Sequence, residues 1–142
     1  MKKIVLSILV LLGALVLTGC QEKKFEFDFD KAKTIIEKRI SNLEEIKKES
    51  LEDVYNIDFD NIEKYVFKQN EDGDFYAIIK AKDTSKVKVN MKEYFDKVKS
   101  FNENYSPERI EILDNRVEKE IDSYLVYIVH KDAEDIYKDI LK

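Results

Sequence analysis

The sequence IEKYVFKQNEDGDFYAIIKAK, residues 62–82, predicts a hairpin of two β-strands. Ile, Tyr and Phe occur in residues 62–68, together with Val66, and again in 75–82, as is typical of strands. Residues 69–74 are polar apart from Gly73, and Asp72-Gly73 is a strong turn signal because glycine supplies the positive φ of a tight hairpin. We therefore expect the two runs to pair in antiparallel fashion.

Three carboxylates surround this turn, on Glu71, Asp72 and Asp74, and acidic loops can bind calcium. A calcium loop, however, repeats its oxygen ligands over about a dozen residues and closes with a glutamate. That spacing is missing here, so a solvated turn is the favoured interpretation.

A second hairpin is predicted near the C-terminus. Residues 116–121 form a polar run, Asp122-Ser123 form a turn, and residues 124–129 (YLVYIV) are apolar at every position. A strand that is apolar on both faces is typical of the interior of a sheet. We therefore expect 124–129 to be a central strand.

Apolar residues spaced three and four apart predict a helix early in the chain: Ala32, Ile35, Ile36, Ile40, Leu43 and Ile46. The preceding residues, 25–30, alternate phenylalanine with acidic residues, which by period suits a strand. Asp28 and Asp30 are also good N-caps for the helix, because a short carboxylate accepts hydrogen bonds from the free N–H groups of the first turn. Both interpretations of 25–30 are open.

Three further helical segments follow. The first is short, lies around Leu51 and ends at Asn56 in the left-handed conformation. The longest begins at a cap among residues 83–85, is ended by Pro107 and has an apolar stripe of Val87, Met91, Tyr94, Phe95, Val98, Phe101 and Tyr105. Core packing is favoured for this stripe over lining a ligand cleft. The last segment is capped by Asp132 and presents Ala133, Ile136, Tyr137, Ile140 and Leu141.

These segments predict an α+β fold in the order α-β-β-α-β-β-α. Two hairpins give an antiparallel sheet of about four strands, and paired strands need a cover that the apolar stripes of the helices provide. We expect the helices on one face of the sheet.

The first twenty residues predict an exported, lipid-modified protein. Lys2 and Lys3 precede an apolar run, residues 4–17, which is too short for the roughly 20 residues of a membrane span. The run ends in Leu17-Thr18-Gly19-Cys20, which resembles the lipobox of bacterial lipoprotein precursors. The resemblance implies a diacylglycerol on the Cys20 thiol, cleavage between Gly19 and Cys20, and a protein moored at the outer face of the cell membrane.

The predicted organisation therefore has three parts: a signal peptide at 1–19, a lipidated N-terminus with a short tether at 20–27, and one domain at 28–142. Cys20 is the only cysteine, so a disulfide within the chain is excluded. The 30 acidic residues outnumber the 25 basic ones, a balance that disfavours nucleic acid and anionic lipid headgroups as partners.

Residue types with catalytic roles are scarce. His130 is the only histidine, which excludes a multi-histidine metal site, and acylation of Cys20 removes a Cys-His pair. His130 lies beside Lys131 and Asp132 at the end of a predicted strand, where a structural role is favoured over a Ser-His-Asp site. After the leader only Gly73 remains, so a glycine-rich phosphate loop is excluded. No catalytic residue, metal ligand or cofactor is predicted.

The mature chain resembles the lipid-anchored bacterial family known as domain of unknown function 4358. The matching stretches are Leu51 to Asp58, the strand before Lys80-Ala81-Lys82-Asp83, Phe101 to Pro107, and Ser123-Tyr124-Leu125-Val126. Members typically place glycine where this chain has Ser123. The resemblance implies the fold and the location and adds no reaction.

Two functional hypotheses follow. The first is a lipid-anchored binding or assembly module that acts through a surface patch on an envelope protein, a peptide or a wall component. The second is an envelope hydrolase that uses acidic residues in a cleft. A flat, exposed apolar patch favours the first hypothesis. A deep pocket with two carboxylates, at least one of them desolvated, favours the second.

Overall fold

A computed structural model describes residues 25–142, which form an α+β fold, as the sequence predicts. One antiparallel sheet contains β1 (Glu44–Glu45), β2 (Ile62–Gln69), β3 (Phe75–Ala81), β4 (Val117–Ile121) and β5 (Tyr124–Val129). Around it pack α1 (Phe29–Arg39), α2 (Lys48–Asp53), α3 (Thr84–Tyr105), α4 (Ile110–Asp114) and α5 (Ala133–Ile140). Short 3-10 turns, Phe59–Asn61 and Pro107–Arg109, precede β2 and α4.

Both predicted hairpins are present, as β2–β3 and β4–β5. The strand order across the sheet is β1-β2-β3-β5-β4, so β5 lies in the interior, as its apolar sequence predicts. β3 pairs with it from Phe75 opposite Val129 to Lys80 opposite Tyr124. The sheet has one strand more than expected because the two-residue β1 pairs with the end of β2. Two residues are too few to show a period in the sequence.

Helices lie on both faces of the sheet, and the expectation of a single covered face is wrong. Odd-numbered residues of β3, such as Ala77 and Ile79, share a core with Met91 of α3. Tyr76 and Ile78 belong to a second core formed with α1 and α5. Both faces need a cover because β3 and β5 are apolar on both sides, and uncovered apolar strands would remain in contact with water.

The N-terminus of α1 confirms the capping interpretation of residues 25–30. Asp28 is the N-cap, and its carboxylate accepts from the backbone N–H of Lys31 at 2.9 Å. The helix ends at Arg39, earlier than predicted, and Asn42 adopts a left-handed φ of 58° that turns the chain towards β1. Ile46 then enters the core on the other face of the sheet from Ile36. The helical spacing of apolar residues therefore continues past the end of α1, although Ile36 and Ile46 pack into different cores.

The connections use the residues that tolerate positive φ. Asn56 ends the α2 region at φ 57°, as predicted, and Gly73 has φ 84° in the β2–β3 turn. The β4–β5 connection is a two-residue turn even though Ser123 stands where the family resemblance implies glycine. The positive φ of 53° falls on Asp122, a residue type that enters the left-handed region more readily than most.

A hydrogen-bonded group joins β3 to α1. Tyr76 Oη donates to Glu37 Oε1 at 2.6 Å, and Lys68 Nζ lies 2.8 Å from the same oxygen. Burial acts to raise the pKa of Glu37, but the bonds from Lys68 and Tyr76 outweigh it and hold this pKa below its usual 4.5. The Tyr76 ring is fully buried, so its hydroxyl depends on this carboxylate.

We predict that Tyr76→Phe lowers the free energy of unfolding by about 1.5 kcal/mol, the low end of the range for a bond to a charged group, because Glu37 is partly exposed. Urea denaturation of the two proteins measures the difference.

Since the pKa of Glu37 is lowered on folding, its contribution to the free energy of unfolding is present above pH 4.5 and is lost as the pH falls further. The stability gap between wild type and Glu37→Gln should therefore narrow below that pH. A difference in the free energy of unfolding that does not change with pH would contradict the lowered pKa of Glu37.

Candidate functional site

The predicted lipid site lies outside the described residues. Leu17, Thr18, Gly19 and Cys20 all precede Phe25, where the description begins. Within residues 25–142, no helix has the length and the apolar composition needed to cross a membrane.

His130 lies two residues before Asp132, which is the N-cap of α5, as predicted, although the Asp132 side chain makes no cap hydrogen bond. The His130 Nδ1 accepts a hydrogen bond from the backbone N–H of Asp132 at 3.0 Å, just before α5 begins. The shallow depression beside it, of about 660 Å³, is lined by Glu111, Ile112, Asn115, Lys131, Asp132, Ala133, Glu134 and Asp135, with no serine among these residues. The ring therefore organises the start of α5, and the depression supplies no nucleophile for a Ser-His-Asp site.

The acidic residues of the β2–β3 turn do not converge on a common point. Glu71 and Asp72 are exposed beside Glu44 and Glu45 of β1. In the part of the chain that the structure describes, no three His, Cys, Asp or Glu side chains are arranged to hold a metal ion.

A cleft with an aromatic floor lies where α3 extends past the sheet. The 22 residues of α3 span about 33 Å, whereas the seven residues of β3 span about 23 Å. The C-terminal turns of α3 therefore overhang the β2–β3 turn. The cleft beneath them has a volume of about 470 Å³, within the range of small-ligand sites. It is lined by Val54, Tyr55, Gln69, Glu71, Asp72, Gly73, Phe75, Tyr94, Phe95, Lys97, Val98, Phe101, Asn102, Ser106, Arg109, Leu113 and Val129.

The floor of this cleft consists of packed aromatic rings. The Tyr94 ring stacks on Phe75 with centroids 5.2 Å apart, and the Tyr55 ring lies 4.5 Å from Tyr94 at a tilt of 50°. Phe95 meets Tyr94 edge to face at 5.1 Å. Because the ring faces are used against one another, the floor offers mainly ring edges and is held rigid by its own packing.

The rim of the cleft is apolar and exposed. Phe101 is 60% exposed and Val54, across the opening, is 57% exposed. Tyr105, 73% exposed, stacks on Phe101 with centroids 4.7 Å apart. The predicted core stripe of α3 is therefore correct for Val87, Met91, Tyr94 and Phe95, and Val98 packs against the same core while partly buried. The last two residues of the stripe, Phe101 and Tyr105, are exposed at the rim instead.

The cations in the cleft walls already have partners. Arg109 donates to Asp74 Oδ1 at 2.8 Å, in an ion pair whose two side chains are both less than one-fifth exposed. Lys97 Nζ donates to the Val54 carbonyl at 2.8 Å. The first contact links the 3-10 turn after α3 to the β2–β3 turn, and the second links α3 to the end of α2. Both walls are fixed by these bonds.

The Tyr94 hydroxyl belongs to the more buried of the two tyrosines in the floor. The side chain is only 3% exposed, and none of the described residues forms a hydrogen bond with its Oη. Every described side-chain oxygen or nitrogen that is shut off from solvent has a partner, so this Oη must reach the cleft. Burial, with a smaller effect of Tyr55, raises the pKa of Tyr94 far above its usual value. The group is therefore a neutral donor.

Residues 36–130 match the family described as Domain of unknown function (DUF4358). The chain belongs to this family. The DUF4358 match runs from α1 to the end of β5 and includes every residue that lines the cleft. No curated protein and no solved structure matches the chain.

Gly73 lies in the β2–β3 turn and also lines the wall of the cleft. Its φ of 84° is strained for other residues, and a Cβ there would lie 3.3 Å from Arg109 Nε. We predict that Gly73→Ala lowers the free energy of unfolding by about 1 kcal/mol or more. Gly73→Asn should cost less, because asparagine enters the left-handed region more readily while meeting the same Arg109 atoms. Thermal or urea unfolding measures both; equal losses would assign the whole effect to crowding by Arg109.

Proposed function

We propose that this protein is a lipid-anchored binding module at the outer face of the cell membrane, held by a diacylglycerol on Cys20. Its binding site is the aromatic cleft at the β2–β3 turn. The ligand is a component of the cell envelope. The observation that carries the binding role is a cleft with a packed aromatic floor and an exposed apolar rim of Val54 and Phe101, which Tyr105 extends by stacking on Phe101.

The exposed rim favours recognition of another molecule. Large apolar side chains normally avoid water, and a cluster of them at the mouth of a pocket is typical of interaction sites. Protein interfaces also combine an apolar centre with a polar border. Here the border is supplied by Gln69, Glu71 and Asn102.

The alternative of an acid-based hydrolase finds no support among the described residues. None of their charged side chains is buried. A carboxyl group that acts as a general acid near neutral pH needs a desolvated environment to raise its pKa. The carboxylates at the cleft are either exposed, as for Glu71 and Asp72, or paired, as for Asp74 with Arg109.

The position of the cleft fits an anchor at the N-terminus. Phe27 packs against Tyr124 with ring centroids 4.8 Å apart, and Tyr124 is at the end of the sheet remote from the β2–β3 turn. The cleft is therefore at the opposite end from Phe27. Five residue steps from Cys20 to Phe25 reach at most about 18 Å. An anchor on Cys20 would hold the Phe27 end close to the membrane and leave the cleft facing the envelope.

The anchor is tested by the mass and location of the protein in its host. We predict an N-terminal Cys20 that carries a diacylglycerol, and loss of the protein from the membrane fraction in Cys20→Ala, because two acyl chains are needed for stable attachment. Intact-mass spectrometry and membrane fractionation measure these. Val89→Asp, a substitution at an exposed position of α3, serves as the control for expression. An unmodified chain that begins at Met1 would contradict the proposal.

The binding site is tested by a charged substitution on the rim. We predict that Phe101→Asp reduces photo-crosslinking of the lipidated protein to its envelope partners by roughly tenfold, the effect of losing an apolar contact of about 1.4 kcal/mol. Val89→Asp is the matched control, since Val89 is on the same helix and is 59% exposed, close to the 60% of Phe101. Equal crosslinking by the two variants would exclude the cleft as the binding site.

A further inference from the structure

We infer that the cleft binds an uncharged peptide segment of an envelope protein, with an aromatic or branched apolar side chain inserted over the ring edges of the floor and a peptide carbonyl accepting from Tyr94 Oη. The inference rests on the proposed binding role of the cleft and names its ligand class and its polar anchor.

The Tyr94 hydroxyl carries the argument for a specific ligand. Among the described residues, a hydroxyl on a side chain that is 3% exposed, with no protein partner, is a group that a ligand can satisfy. Because this hydroxyl is accessible from the cleft, a ligand acceptor that reaches it would replace water there and gain one net hydrogen bond. Since the phenol is neutral, the complementary atom is an oxygen acceptor such as an amide carbonyl.

The electrostatics of the walls favour an uncharged ligand. Arg109 is bonded to Asp74, and Lys97 is bonded to the Val54 carbonyl, so the cations that line the cleft are already engaged. A phosphate or carboxylate would have to displace one of these contacts. The exposed carboxylates of Glu71 and Asp72 at the mouth would add repulsion.

The shape of the floor favours a side chain over a sugar ring. A sugar binds best on a flat, open aromatic face, but the faces of Tyr94 and Phe75 are stacked on each other, and Phe95 covers a further edge. The space that remains above the floor is bordered by ring edges. Around its mouth, Phe101, Tyr105 and Val54 extend the apolar surface, as suits the residues that flank an inserted side chain.

The test is a titration of the full chain, in detergent micelles, with the blocked tripeptide acetyl-Ala-Phe-Ala-amide, followed by backbone amide NMR shifts. We expect shifts confined to the cleft and a dissociation constant that rises about fivefold to tenfold in Tyr94→Phe, the effect of one net hydrogen bond. Acetyl-Ala-Ala-Ala-amide, which lacks the inserted side chain, should bind at least tenfold more weakly. N-acetylglucosamine should produce no shifts in the cleft.

Two tyrosine variants separate ligand binding from structure. Tyr94→Phe should leave the free energy of unfolding unchanged, because its hydroxyl has no partner in the fold. Tyr76→Phe, whose hydroxyl is bonded to Glu37 on the other face of the sheet, should be less stable and should bind the tripeptide as the wild type does. Unchanged binding by Tyr94→Phe, or loss of stability in that variant, would overturn the role of this hydroxyl.

The outcomes also separate this inference from the proposed function. Shifts in the cleft with N-acetylglucosamine and none with the tripeptide would overturn the peptide ligand. If that result is obtained while crosslinking in cells still depends on Phe101, the cleft would remain a binding site, but for a ligand other than a peptide. Crosslinking that is insensitive to Phe101→Asp would instead remove the binding role of the cleft.

Discussion

The burial of β3 on both faces is the constraint on which the rest of the structure depends. Its side chains alternate between two cores, with Ala77 and Ile79 on one side and Tyr76 and Ile78 on the other. Neither face can be left to water, so α3 must cover one and α1 with α5 must cover the other. Because α3 is about 10 Å longer than the strand it covers, its last turns have no sheet beneath them. The cleft is a consequence of this difference in length.

The hairpins could be predicted from sequence because their signals are local. Asp72-Gly73 and the apolar run 124–129 each act within a few residues, and the structure confirms both hairpins. The end of α1 could not be predicted in this way. The spacing of Leu43 and Ile46 continues that of Ile40, yet the chain turns at Asn42 and delivers Ile46 to the opposite core. Periodicity shows which residues are apolar but not which core receives them, and for the same reason it did not show that both faces are covered.

The candidate site was beyond sequence reasoning for a related reason. The apolar period of α3 runs unchanged from Val87 to Tyr105, while the sheet beneath the helix stops earlier. The rest of the cleft comes from positions far apart in the chain, such as Tyr55 and Arg109. Arg109 is paired with Asp74, whereas the Tyr94 hydroxyl faces the cleft without a protein partner. Such pairing depends on the fold and cannot be read from the sequence. The lipobox is a prediction that does not depend on the fold, because its residues are contiguous in the sequence.

The proposed anchor and the proposed ligand are physically compatible. A cleft of about 470 Å³ that takes one side chain and one carbonyl is expected to bind weakly by itself, since the cost of association is met by few contacts. Confinement to the membrane surface raises the effective concentration of both partners when the ligand is also held in the envelope, and weak binding is then sufficient. The exposed acidic side chains around the β2–β3 turn keep the mouth of the cleft hydrated and limit nonspecific association of its apolar rim. A short tether at one end of the sheet and an apolar cleft at the other would therefore act together as one device for recognition at the cell surface.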